Sequence, residues 1–477
     1  MLGWSAPSTA KHPGWVAAAF VGCLDGRLRW YKVRVALVTL GTRGDVQPMV
    51  ALGAELARRG HDVVLGLSRG GEELGRRAGL TVLPVGPDPY LWLQTNEVLG
   101  LVTKGKTLAV AEGLMAGLHA LATEIDDEVL AACEGADVVV SGFLAEGRAA
   151  VVAEHLGAPL VLVHTVPARR TDAVPFPALP APPLGFPGLN YLVWTAGERA
   201  HWYKVKPEIN VLRRRLGLAT TRKPTARRCA DQGALELQAY SPAVVPGLAH
   251  CPSHRPVIGA FELGAEERLR LGEGPLAADL DAWLADGEPP AYFGFGSMPV
   301  EDPQRVLDMV ARVSTSLGMR ALLSTGAHDF ASAHASSRDL RVVGAVNHHE
   351  LLPRCRLAVH HGGAGTTAAV TRAGIPSTVC SFMMDQHFWG NQVRHLGVGT
   401  HVPFFKLDDE ALRAHLSQLL DPGVAERARL LGAVVRSEPP AVPRAADLVE
   451  EAVSPTPGRA NTPGKSAKIA GGSTNRP

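Results

Sequence analysis

The chain has 477 residues, 48 Lys and Arg against 46 Asp and Glu, and a net charge of +2. So near a balance excludes a surface built to neutralise nucleic-acid phosphates, and no Lys/Arg-rich block supplies one locally. With 46% hydrophobic residues and a prior of roughly 100–200 residues per domain, two or three globular domains are expected.

Residues 1–32 read as an extension ahead of the folded chain. Its apolar run from Trp15 to Leu24 is too short to span a bilayer, which takes about 20 residues, and no small-residue cleavage site follows it. Val33 is read as a GTG start codon, so the folded protein begins there, and no integral membrane association is expected. Six cysteines, at 23, 133, 229, 251, 355 and 380, form no C-x-x-C pair. A reduced, cytoplasmic setting is therefore the simpler reading. The H-E-x-x-H pattern is absent, which removes a common metalloprotease reading.

Arg34 to Leu40 is an aliphatic run of the kind buried on both faces of a parallel sheet. A Gly-rich turn follows at Gly41-Thr42-Arg43-Gly44-Asp45, then a helix pattern from Pro48 to Arg59 with Gly60 as its stop. Asp62 to Leu67 completes a βαβ unit. The alternation continues with a strand from Ala136 to Ser141, a helix from Gly147 to Leu156 and a strand from Pro159 to His164. A proline-rich apolar stretch fills 166–189, too irregular for regular structure and long for an idle loop. A helical region runs from Asn190 to about Leu216, and Leu235 to Tyr240 reads as the last strand of a first domain, 33–241.

Four prolines mark 242–256 as a linker. A second domain, 257–440, restarts the alternation at Pro290 to Phe295, with Ser297 on the next turn and a helix from about Glu301 to Leu317. Further strands centre on Leu322, Val342 and Ala358, and another covers Ser377 to Ser381. A last helix covers 441–453, and the tail 454–477 has the composition of a disordered segment. The fold class is α/β, with two doubly wound halves.

The most informative run is His360-His361-Gly362-Gly363-Ala364-Gly365-Thr366-Thr367, between a strand and a helix. Glycines at such a turn let backbone N–H groups approach an anion, and the helix start adds about half a positive charge. Thr366 and His361 offer further donors, making a diphosphate cradle that needs no lysine and no metal. Asp385 and Gln386 follow a strand end, where ligands of parallel sheets bind and where a carboxylate and an amide suit sugar hydroxyls. Ser297, on its own strand-to-helix turn, is a further phosphate donor.

The run from His360 through Gln386 resembles the donor box of family 1 glycosyltransferases, closest to the branch of sterol glucosyltransferases and antibiotic-glycosylating bacterial enzymes. The resemblance extends from about Val33 to Val453. It implies the GT-B fold, two Rossmann-like domains facing across a cleft, with the final helix crossing back to the first domain. It also implies that His361, Gly363, Gly365 and Thr366 hold the diphosphate and that Asp385 and Gln386 bind the sugar. Where plant members carry a base-stacking tryptophan, this chain has Ala345-Val346-Asn347-His348, which leaves the base to backbone and aliphatic contacts near Val346 and its identity, in a UDP- or TDP-linked donor, open.

In the first half, Gly41 through Pro48 resembles the motif whose aspartate serves that branch as general base, which implies this role for Asp45. Thr42, Arg43 and Gly44 are then placed near the donor phosphates. Asp45 also stands where an N-cap would stand before Pro48. Phe143, His164, Phe176 and Trp194 fall where family members bind acceptors, and an apolar acceptor follows. The resemblance thus implies an inverting, metal-independent transfer of a hexose to a small apolar molecule, by a monomer or homodimer with no cofactor beyond the donor. A catalytically silent homologue that binds a sugar nucleotide or activates a partner is the alternative; loss of Asp45 or His361 would favour it, and both are present.

Overall fold

The computed structural model describes residues 32–177, 188–325 and 337–454. The extension up to residue 31, the tail beyond 454 and the middle of the proline-rich stretch lie outside the described residues.

Six strands of the first half, β1 (Arg34–Thr39), β2 (Asp62–Leu67), β3 (Thr81–Pro84), β4 (Val138–Gly142), β5 (Leu160–His164) and β6 (Leu235–Gln238), form one parallel sheet in the order β3-β2-β1-β4-β5-β6. Six more, β7 (Ala291–Gly294), β8 (Ala321–Ser324), β9 (Leu340–Val343), β10 (Leu357–His360), β11 (Ser377–Ser381) and β12 (Gly399–Pro403), form a second parallel sheet in the order β12-β11-β10-β7-β8-β9. Central strands such as β4, β5 and β10 are buried along their whole length, so they read as continuous apolar runs. Strand order reverses between β1 and β4 in one sheet and between β7 and β10 in the other. Loops diverge at such points, and a crevice opens at the carboxyl ends of the strands.

The helix after β1 begins earlier than the sequence indicates, at Arg43 rather than Pro48, and runs to Arg58. Thr42 is its N-cap, and Asp45 is its third residue rather than the cap. Pro48 sits in its interior, without the N–H that would bond the Gly44 carbonyl. Gly44 is exposed, so water can satisfy that carbonyl.

Between β3 and β4 the chain inserts four helices, Pro89–Leu93, Asn96–Thr103, Thr107–Ala120 and Ala122–Ala132, with no counterpart in the sequence reading. Leu93, Val98, Val102 and Val110 from this insertion share one buried cluster with Phe295, Met298, Phe382 and Met383 of the second half. The two halves are thus joined by apolar contact on one flank of the crevice. Among the described residues, no single helix is long and apolar enough to cross a membrane.

From the end of the expected linker onward, residues 254–258 run alongside β6, with Gln238 N–H donating to the Pro256 carbonyl and Ile258 N–H to the Gln238 carbonyl. Phe261, Leu263 and Leu271 pack in the first half's core, so the chain leaves that half later than residue 257. The last helix, Ala441–Val453, returns to it and places Ala445, Ala446 and Val449 in the same core. Arg59 Nη1 donates to Asp447 at 2.7 Å and Glu450 at 2.9 Å, and His61 Nε2 lies 2.9 Å from Glu450 Oε1. His61 is therefore part of the clasp on the final helix.

Candidate active site at the facing strand ends

Gly41 ends β1 with φ at +126°, and a Cβ there would fall 2.1 Å from Asp45 Oδ2. The absence of that Cβ lets the Asp45 carboxylate fold back and accept the Thr42 N–H at 3.0 Å. Burial, then the nearby Asp385 carboxylate, push the Asp45 carboxyl up to about 7, against the pull of the Thr42 N–H. Asp385 follows β11 in the other half, and burial raises its carboxyl to about 6 while the Trp389 indole N–H, 3.1 Å from Oδ2, pulls it down. Both residues are half-buried, and the Asp385 carboxylate, carried by the other sheet, is close enough to add to the upward push on Asp45.

After β10 the backbone turns through Gly362 into the helix Ala364–Ala373. Gly363 is its N-cap, and no side chain caps it. The first bond of the helix is from Thr367 N–H to the Gly363 carbonyl at 2.9 Å, which leaves the N–H groups of Ala364, Gly365 and Thr366 without helical partners. The His361 ring lies against this turn: a Cβ on Gly363 would come within 2.5 Å of its Nε2. Burial pushes His361 down to about 4, against a carbonyl contact at Gly294, so the ring is neutral near pH 7 and can donate one N–H. Its Nδ1 is buried with no partner among the described residues. Gly365 is exposed at this helix start, Thr366 is half-buried, and Ser297, which follows β7 across the switch point, is half-buried as well. The Thr367 hydroxyl is not part of it, since it donates to the Gly363 carbonyl at 2.9 Å.

Other expected site residues are placed differently. The Arg43 guanidinium pairs with Gln47 and Glu273, and its backbone N–H donates to the Tyr90 hydroxyl at 2.9 Å, so the side chain is held by carboxylate rather than left open for phosphate. Gln386 is buried: its Oε1 accepts from the N–H groups of Phe382 at 2.8 Å and Met383 at 3.2 Å, which ties the turn that carries Asp385. Val346 is half-buried beside the short helix His348–Leu351.

Among the acceptor-side candidates, His164 is fully buried, its ring held between Glu146 at 3.1 Å and Gln238 at 3.3 Å, so it faces the core and not an acceptor. Trp194 is likewise core: its indole donates to the Val174 carbonyl at 3.0 Å, and Phe176 packs edge-on against it. Phe143, just after β4 at the first switch point, is 45% exposed and remains open to a ligand. Tyr90, Glu273 and Trp389 were not singled out by sequence reasoning, and His348 appeared only as the end of the Ala345–His348 run. The His348 ring accepts or donates at 2.8 Å with the Tyr292 hydroxyl and lies near both Arg43 and His361, which help burial push it down to about 4. Its place directly after Val346 and Asn347 was the one available signal.

Comparison with known proteins bears on the family and the fold. Residues 35–175 match the glycosyltransferase family 28 N-terminal domain, and residues 305–454 match the erythromycin biosynthesis protein CIII-like C-terminal domain. An uncharacterized glycosyltransferase of Mycobacterium leprae is 36% identical, over 88% of this chain and 97% of its own length. The O-mycaminosyltylonolide 6-deoxyallosyltransferase of Streptomyces fradiae is 34% identical, over 91% and 100%. A sterol 3-beta-glucosyltransferase of Arabidopsis thaliana is 29% identical, over 85% of this chain and 66% of its own length. Among solved structures, the calicheamicin glycosyltransferase CalG4 superposes with a TM-score of 0.65 at 18% identity, over 91% of this chain and all of CalG4. The glycosyltransferase VinC, in complex with dTDP, superposes with a TM-score of 0.57 at 18% identity, over 88% and 99%. The architecture is that of the GT-B glycosyltransferases.

Proposed function

Because the chain belongs to the family 1 glycosyltransferases, in the branch of the antibiotic and sterol enzymes, we propose that it moves a glucose-like hexose from a UDP- or dTDP-linked donor to a hydroxyl of a small, largely apolar acceptor, with inversion. The observation that carries this reading is that Asp385, on the turn whose Gln386 packs against Gly362, acts on the charge of Asp45 from the opposite sheet.

The proposed chemistry is a single displacement. The Asp45 carboxylate takes the proton of the acceptor hydroxyl as its oxygen attacks the anomeric carbon. The bond from that carbon to the diphosphate breaks, and its electron pair leaves with the nucleoside diphosphate. The helix start at Gly363–Thr366 and the neutral His361 N–H meet the charge that develops there. Asp385 accepts from sugar hydroxyls and orients the ring. VinC was crystallised with dTDP, which supports a thymidine-linked donor as the first to try. The test is release of nucleoside diphosphate and formation of glycoside from UDP-glucose and dTDP-glucose with a panel of sterols and macrolide aglycones. Binding of either donor without transfer to any acceptor would return the silent-homologue reading.

Two further outcomes follow. Full turnover is expected in excess chelator, since the proposed cradle uses backbone, helix dipole and His361, and no cluster of three or more His, Cys, Asp or Glu among the described residues is placed to hold a metal. A loss in chelator that Mg²⁺ restores would overturn that expectation.

The pH profile is the second. A base raised to about 7 is mostly protonated below that pH, so kcat/KM should climb as pH rises through about 7. The sign for stability is opposite. Between 3.8 and about 7 the folded chain holds a proton at Asp45 that the unfolded chain has lost, so this group's contribution to stability declines as pH rises across that window. A rate profile flat through pH 7 would remove Asp45 from the role of base.

A further inference from the structure

Asp385 occupies the N-cap position of the helix Gln386–His395 but makes no capping bond. Its one side-chain partner among the described residues is the indole N–H of Trp389, one turn further along, at 3.1 Å. That bond engages Oδ2, and the residue's own backbone N–H also pulls on this half-buried carboxylate. The residue before it, Met384, has φ at +52° and is the single non-glycine with positive φ among the described residues. A strained residue beside an uncapped carboxylate persists only where its surroundings hold it in place.

Trp389 is well suited to hold it. It is 2% exposed and packs edge-on against Phe388, 5.0 Å between ring centroids, and against Tyr240, 6.2 Å away. Tyr240 follows β6, so this contact comes from the other half of the molecule. The same buried cluster contains Val174, from the proline-rich stretch, and Trp194. The indole therefore touches both the sugar-side carboxylate and the apolar packing that joins the halves.

We propose that Trp389 is a positioning residue for the donor sugar: its N–H fixes the Asp385 carboxylate, and its ring ties that orientation to the packing of the first half. The inference rests on the reading of Asp385 as the acceptor of sugar hydroxyl bonds. The diphosphate cradle lies on a different turn, after β10, so losing the indole N–H should weaken the sugar's hold and spare the nucleotide's.

The experiment compares binding of UDP, dTDP, UDP-glucose and dTDP-glucose by calorimetry to the full chain, its Trp389→Phe variant and its Asp385→Asn variant. Phenylalanine keeps a ring in the cluster and deletes the N–H. The Kd of whichever sugar nucleotide the wild type binds should rise about tenfold in Trp389→Phe, the scale of one charge-assisted hydrogen bond, while the matching diphosphate keeps its Kd. Equal weakening of both ligands, or of neither, overturns the proposal. If Asp385→Asn weakens the sugar nucleotide and Trp389→Phe does not, Trp389 alone loses its role. If Asp385→Asn has no effect, or the wild type binds neither sugar nucleotide, the reading of the site beneath it fails. Should Trp389→Phe not fold, Tyr240→Leu loosens the indole from the opposite half. The same split, at about threefold, is then expected, and its absence overturns the proposal.

Discussion

Replacing Asp45 by Asn is expected to lower kcat by roughly 10²–10⁴, the usual range for a lost general base. The fold should hardly notice. Asp45 accepts the Thr42 N–H through Oδ2, and an Asn carbonyl can accept it equally. Neutral Asn also removes the repulsion with Asp385, so thermal stability should stay level or rise slightly. Asp45→Ala should lose the same activity and, with the Thr42 N–H left unpaired, about 1 kcal/mol of stability. Donor binding should survive both changes, because the cradle and Asp385 belong to the other half. Assays of kcat beside melting curves separate the roles: an Asn variant with native kcat, paired with an Ala variant that merely melts early, would reduce Asp45 to a helix-start residue.

His361→Ala is expected to lower kcat/KM by roughly 10²–10³, the scale of a donor lost from a site of developing negative charge. Its ring is neutral and lies against the turn at Gly363, where the proposal gives it the part of a fixed dipole facing the diphosphate. Affinity for free dTDP or UDP should fall as well, by about tenfold, because the diphosphate is present in product and substrate alike. This pattern contrasts with that of Asp45, where catalysis drops and nucleotide binding stands. Native nucleotide affinity together with native kcat/KM in His361→Ala would remove the ring from the cradle.

The strands were the most legible part of the sequence. β1, β2 and β10 are short aliphatic runs bounded by glycine or polar turns, and burial on both faces gives them no alternation to blur. The glycine turn at Gly362-Gly363 was legible for the same reason a helix start is: small residues at a strand end have few other uses. Helix boundaries were less so. Pro48 pulled the expected start five residues late, and only the exposed Gly44 carbonyl explains why a helix tolerates it there.

Two kinds of feature were not legible at all. The inserted helix Thr107–Ala120 is apolar around most of its circumference, because Val110 packs toward the second half while Leu118 packs in the first. A residue that serves two cores carries no single period. The aromatic residues near the proline-rich stretch posed the converse problem: Trp194 suits a pocket wall and a core equally by type, and the Val174 carbonyl that takes its N–H decides for the core. Tyr90 belongs to no spacing pattern, and only tertiary contact connects it to Arg43, whereas Trp389 stands one helical turn after Asp385.

The most direct test of the account is the anomeric configuration of the product. An α-linked UDP-glucose or dTDP-glucose, incubated with an acceptor from the panel that supports turnover, should give a β-glucoside by proton NMR, with one nucleoside diphosphate released per glycoside. Attack assisted by Asp45 from the face opposite the departing diphosphate admits no other outcome. An α-glucoside, or nucleotide release with free glucose alone, would contradict a single displacement at this site.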